Sequence, residues 1–112
     1  MMINQNDLLL NLKNKTTDFA YPLTLEGVFL EDKYEDLLSF VIILTTQLKD
    51  EDYILKGILI ELRLTISAME NFQGRYQKDK IENKISKVEK IFGCLVSGEV
   101  YGDRVPGVPR II

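Results

Sequence analysis

Leu55, Leu59, Leu62, Ile66 and Met69 stand four and three residues apart, so a helix through them carries one continuous apolar stripe. A second stripe of Tyr53, Ile60 and Leu64 falls on the far side at about 100° per residue, leaving Lys56, Arg63 and Glu70 as a narrow polar seam. A helix that is apolar on two sides needs two partners. It lies either in the middle of a bundle or between two copies of the chain. Asp50 is a suitable cap for it, Glu51 and Asp52 fill a first turn, and Gly74 is placed to end it in the left-handed conformation.

Three further stretches carry helical signals. Asn6 can cap a short first helix from Asp7 to about Lys15, with Leu8, Leu9 and Leu12 on one side. Positions 16–24, with Phe19, Tyr21 and Pro22, read as a connector whose aromatics tuck against the bundle, because Pro22 disfavours helix in the residue before it. A second helix begins at Glu31 or Asp32, where acids meet the positive end of the helix dipole, and runs to about Lys49. The unbroken apolar run from Phe40 to Leu44 leaves that helix little polar face and predicts a central position; a buried strand is the competing reading of the run. Ile81, Ile85, Val88, Phe92 and Leu95 make a single stripe, the pattern of an outer helix from about Tyr76 to Phe92 or Val96.

After Gly98 the pattern changes. Gly102, Pro106, Gly107 and Pro109 exclude a continuing helix, while Val105, Val108, Ile111 and Ile112 are too apolar to be left in water without cost. The reading is a single domain over 1–112, an all-α bundle of about four helices with an extended C-terminal tail over 98–112. The tail either covers a groove of its own domain or serves as a recognition segment anchored by Arg104 and Arg110.

Composition narrows the chemistry. With 112 residues, 46% of them hydrophobic and 28% charged, the chain can build one core without metals or disulfides. The start has no secretory pattern, and the longest apolar run falls far short of the roughly 20 residues that span a bilayer. One cysteine, Cys94, fits a small buried hydrophobe in a reducing compartment, so the expected location is cytoplasmic with no membrane partner. Histidine is absent altogether, which removes the usual base near neutral pH and every Ser-His or Cys-His pair. The glycines follow no phosphate-binding spacing, and the acidic clusters lack the calcium-loop glycine. These residues imply a protein that is not an enzyme and carries no cofactor or metal.

Charge is distributed unevenly. Through Glu70 twelve acids face six bases; after it five face eight, so an acidic first part precedes a basic last part. The formal charge of −3 gives no general attraction for nucleic acid, and a nucleic-acid partner is not expected. Glu31, Asp32, Glu35 and Asp36 surround Tyr34 in "EDKYED", while Asp50, Asp52 and Tyr53 form the core of "DEDY". Acids around exposed tyrosines suit a basic protein target, with the charge steering association and the aromatics supplying affinity. Helix-start acids are the structural alternative, and antiparallel packing of the two helices would keep the clusters at opposite ends.

In "EDKYED", "DEDY" and its small, acidic, helical character the chain resembles the immunity proteins that bacteria make against toxins of contact-dependent growth inhibition and the nuclease colicins. The paired-tyrosine motif of the colicin type is absent. The resemblance implies a one-to-one inhibitor of a cognate basic, nuclease-like toxin. Two other readings stay open: a helical regulator that uses the lysine flank of Lys80, Lys84, Lys87 and Lys90 on nucleic acid, and a homodimeric scaffold built on the second stripe of Ile60 and Leu64.

Overall fold

Asn4, not Asn6, opens the first helix: its side-chain oxygen accepts the backbone N–H groups of Asn6 and Asp7 at 3.0 and 3.3 Å. The computed structural model describes residues 4–76, 81–98 and 100–101, and within them lie four helices and no strand. They are α1 (Gln5–Glu26), α2 (Glu31–Gln47), α3 (Lys56–Tyr76) and α4 (Glu82–Ser97). The expected all-α bundle is present. No helix among the described residues is long and apolar enough to cross a membrane.

α1 is much longer than its expected span, and the connector predicted over 16–24 is helix. Pro22 lacks only the N–H that would reach the Asp18 carbonyl. Asp18 is exposed, so water can take that carbonyl, while Leu12, Phe19 and Leu23, with Thr16 on the same i, i+4, i+7, i+11 face, are buried and hold the helix together past the proline. The stop comes at Gly27, in the left-handed region at φ 66°, where its N–H and that of Val28 both return to the Pro22 carbonyl. Phe19 is buried as expected; Tyr21 is exposed.

The helices stand at the corners of a square. α1 and α4 each pack on both α2 and α3, which places α2 diagonally across from α3. α2 is therefore a corner helix and not a central one. Its apolar run is helical, with Val41 and Leu44 buried, Phe40 and Ile42 half-buried and Ile43 exposed. α1 and α3 run in the same direction, since Gln5 bonds to Tyr53 and Leu55 just before α3 and Thr16 bonds to Glu61 within it. Their starts approach closely: a Cβ on Gly57 would lie 2.8 Å from Leu9 Cδ2. α2 and α4 run the other way, with Tyr34 beside Lys84 near both starts. Positions 48–55 cross one end of the bundle along the diagonal.

That crossing corrects the expected start of the third helix. Asp50 does not cap α3, Glu51 and Asp52 are not in its first turn, and Gly74 lies inside it. The first stripe is sound: Leu59, Leu62, Ile66 and Met69 are buried, and Leu55 is half-buried against the core. The second stripe is at the surface. α4 begins later than expected, at Glu82, and buries Ile85, Val88, Ile91 and Leu95. Beyond Gly98 the half-buried Val100 and Tyr101 turn back onto α2, where the Tyr101 N–H donates to Thr45 Oγ1 at 3.0 Å. The rest of the tail, with Arg104 and Arg110, lies outside the described residues.

One end of the core is an aromatic junction. Phe19 of α1 meets Phe29 of the α1–α2 connection edge-on at 5.3 Å, Tyr34 of α2 lies 5.8 Å from Phe19 and 5.6 Å from Phe29, and Phe72 of α3 lies 6.0 Å from Phe29. The Tyr34 hydroxyl donates to the Lys84 carbonyl at 3.1 Å and so ties in α4.

Two outcomes follow from these contacts. Replacing Pro22 by Ala restores the N–H at no steric cost and should raise stability by about 1–2 kcal/mol, read as a higher urea midpoint at unchanged m-value. Burial, helped by the nearby carboxylates of Glu35 and Glu31 and by Tyr101, pushes the Tyr34 phenol from 10.0 to about 12. The fold thus holds the neutral phenol more tightly than the unfolded chain does, so this contribution is whole below pH 10 and is lost as pH rises toward 12. Tyr34→Phe should cost about 0.5–1.5 kcal/mol at neutral pH and flatten that alkaline loss when stability curves of the two proteins are compared.

Candidate partner-binding surface

The residues read as acidic and aromatic partner surface are divided between the two ends of the bundle, the outcome given for antiparallel second and third helices. Glu31, Asp32, Glu35 and Asp36 are exposed on the first turns of α2. Two of them close seams between helices: Asp36 Oδ2 lies 2.8 Å from Lys15 Nζ toward α1, and Glu31 Oε1 lies 3.4 Å from Lys84 Nζ toward α4. Each lysine also sits over an aromatic ring, Lys15 over Phe40 at 5.5 Å and Lys84 over Tyr34 at 5.3 Å. Tyr34 itself is not an anchor for a partner. It is 2% exposed, because its position one turn into α2 points it into the aromatic junction.

Asp50, Asp52 and Tyr53 remain together at the other end. Leu48 and Ile54, both buried, anchor the two ends of the crossing, and the Glu51 N–H bonds back to the Leu48 carbonyl at 3.2 Å to close a turn. Gln5 then clamps the far side: its Nε2 donates to the Tyr53 carbonyl at 3.0 Å and its Oε1 accepts the Leu55 N–H at 2.8 Å. Both ends of the amide are used, so Gln5 is buried without cost to its hydrogen bonding. The backbone is thereby held while the side chains face out. Tyr53 is 59% exposed, with Asp50 and Asp52 exposed beside it in the chain.

The electrostatics of this loop do not follow from helix capping. Asp50 and Asp52 lie before the first turn of α3, where a carboxylate would be stabilised, and directly after the end of α2, whose partial negative charge opposes them. The start of α1 beside Tyr53 offsets part of that opposition. On α4, Lys84 is committed to Glu31 and Tyr34, while Lys87 and Lys90 are exposed; Lys80 lies outside the described residues.

A third surface is apolar. Between α1 and α3 runs an open groove of about 380 Å³, floored by Ala20 and Ala68 and edged by Tyr21, Leu25 and Leu64. Ile60 continues the α3 edge, so the second stripe read from the sequence borders this groove. Tyr21 and Leu25 stand on the facing helix at i and i+4, a spacing that shows only once 16–24 is read as helix. Glu61, the only charged residue among the described ones lining this groove, accepts the Thr16 hydroxyl at 2.9 Å.

The chain matches no family model, no curated protein and no solved structure. Its surfaces must therefore speak through their own chemistry. Among the described residues no three His, Cys, Asp or Glu side chains gather where they could hold a metal ion. Cys94 is half-buried on α4.

Gln5 was the residue that periodicity could not single out, since its role depends on a contact 48 and 50 residues away. Gln5→Ala should cost about 1–3 kcal/mol, because it leaves the Leu55 N–H and the Tyr53 carbonyl without their partner. Amide exchange at Leu55 should accelerate more than at the α4 core, which separates a loosened loop from a general loss of stability.

Proposed function

We propose that this protein is a non-enzymatic inhibitor that binds a basic protein partner, in the manner of an immunity protein that neutralises a nuclease-like toxin. The observation that carries the reading is the Gln5-clamped loop, which holds Tyr53 out directly after the exposed Asp50 and Asp52 in the chain. An aromatic side chain with two rotatable bonds on a fixed backbone loses little entropy on binding, and tyrosine is among the residues that dominate interface energies. The flanking carboxylates would speed encounter with a cationic cleft and select against acidic partners. Asp32 and Glu35, at the other end of α2, extend the same sign of charge but contribute no aromatic anchor.

The inhibitor reading fits a chain without histidine, where occupying another protein demands only surface. One cysteine and an acidic balance suit action in the cytoplasm. The lysine flank offers less for nucleic acid than its spacing promised, because Lys84 is held by Glu31 and by the Tyr34 ring.

The test compares the wild-type chain with Tyr53→Ala and Asp52→Asn as baits in a native lysate. A basic protein should be captured by the wild type, its activity should fall to the background at one equivalent of added inhibitor, and Tyr53→Ala should weaken the complex about thirtyfold or more. Asp52→Asn should slow association mainly at low salt. Capture that is indifferent to Tyr53, or a captured partner whose activity is untouched, would remove the proposal.

A further inference from the structure

We infer that the α1–α3 face is the contact through which two copies of this chain associate, independently of the acidic loop. The comparison that carries this is among the four seams of the bundle. The α1–α2 seam is crossed by Lys15 and Asp36, the α2–α4 seam by Lys84 and Glu31, and the α3–α4 seam by the Arg63 guanidinium over the Phe92 ring at 5.7 Å and by Gln73 with Glu82. The α1–α3 seam has a hydroxyl on a carboxylate at its floor and apolar side chains at its rim. Tyr21, Leu25 and Leu64 are 62, 64 and 60% exposed, and Leu10 and Ile60 continue the apolar surface along the two helices at 60 and 48%.

Charge decides between occupants. A groove lined by a single carboxylate offers a basic partner less than the clamped loop does, where Asp50 and Asp52 are exposed beside Tyr53 in the chain. A second copy of a chain with net charge −3 is repelled least where carboxylates are fewest, and Glu61 is the one carboxylate among the described residues lining this groove. A two-fold contact sets this face against itself, so it requires a surface with little charge of one sign and with ridges and a groove that interlock; among the described residues lining this seam Glu61 and Arg75 carry opposite charges, and the rest are apolar or uncharged. The exposed parts of the five apolar side chains amount to about 500 Å², the size of the largest apolar patch on a typical monomer, which is often functional. With the threonines and alanines of the groove they approach the roughly 800 Å² that each partner contributes to a stable complex.

Sedimentation equilibrium over a micromolar to millimolar range tests this on the full chain, with Leu64→Glu and Leu25→Lys as variants at exposed positions and Tyr53→Ala as the control. The wild type and Tyr53→Ala should dimerise alike, and each groove variant should weaken dimerisation at least about tenfold while keeping the helical circular dichroism of the wild type. Leu25→Lys alone decides the matter if Leu64→Glu does not fold. A wild type that stays monomeric throughout overturns the inference, as does a dimer that neither groove variant weakens or that Tyr53→Ala dissolves.

Discussion

The junction of Phe19, Phe29, Tyr34 and Phe72 is the constraint on which the arrangement of helices rests. It gathers one ring from each of α1, α2 and α3 and one from the α1–α2 connection. Only Tyr34 has a polar tip, and that tip reaches the fourth helix through the Lys84 carbonyl. Phenylalanine at 34 would fill the same space and leave α4 held there by apolar contact, the Lys84–Glu31 pair and the Gln73–Glu82 hydrogen bond. Because the rings prefer edge and tilted contacts, they fix the angle of entry of each element as well as its distance. The square arrangement and the diagonal crossing at positions 48–55 follow: once α2 is committed to α1 and α4 at this end, the chain has to pass under the bundle to reach the remaining corner.

Much of this was legible in the order of residues, and what was not has identifiable causes. The buried stripe of α3 and most of that of α4 were read correctly because i, i+3 and i+4 spacing reports which side faces a core, whatever lies opposite; on α4 Ile91 takes the buried place that the spacing gave to Phe92, which is half-buried. Position in the bundle was harder. The run from Phe40 to Leu44 suggested a central helix, yet Ile43 is exposed, since a run of five apolar residues covers more than a full turn and its burial depends on which neighbours arrive. Pro22 misled for a different reason: its local bias against helix is real, but Phe19 and Leu23 are buried on either side of it and their packing outweighs one lost hydrogen bond. Gly27, a few residues on, was the true stop and carried the usual signal.

The candidate site shows the same division between local and distant information. Acids at 50–52 next to a helical pattern look like a helix start, and so does the cluster at 31–36; only the second occupies that position. The difference comes from Gln5, which satisfies the backbone at Tyr53 and Leu55 and so makes an ordered loop where a first helical turn would otherwise have formed. Tyr34 and Tyr53 sit in similar sequence surroundings and end in opposite environments for the same reason. Their burial is decided by register: position 34 faces the core from within α2, and position 53 lies on a loop whose neighbours 48 and 54 take the buried places.

The surface is then partitioned by what the core requires. Carboxylates that pair with Lys15 and Lys84 screen two seams from water, and a cation over Phe92 covers a third. The α1–α3 seam differs because small residues stand along it, Gly57 against Leu9 at one level and Ala20 and Ala68 about the groove at another. Small residues bring the two backbones together, Arg75 lines the seam only beyond Ala68, and the apolar rims at Tyr21, Leu25 and Leu64 stay open to water. That exposure carries a free-energy cost of about 25 cal/mol for every Å². The packing of α1 on α3 does not relieve this cost, whereas association through the face would.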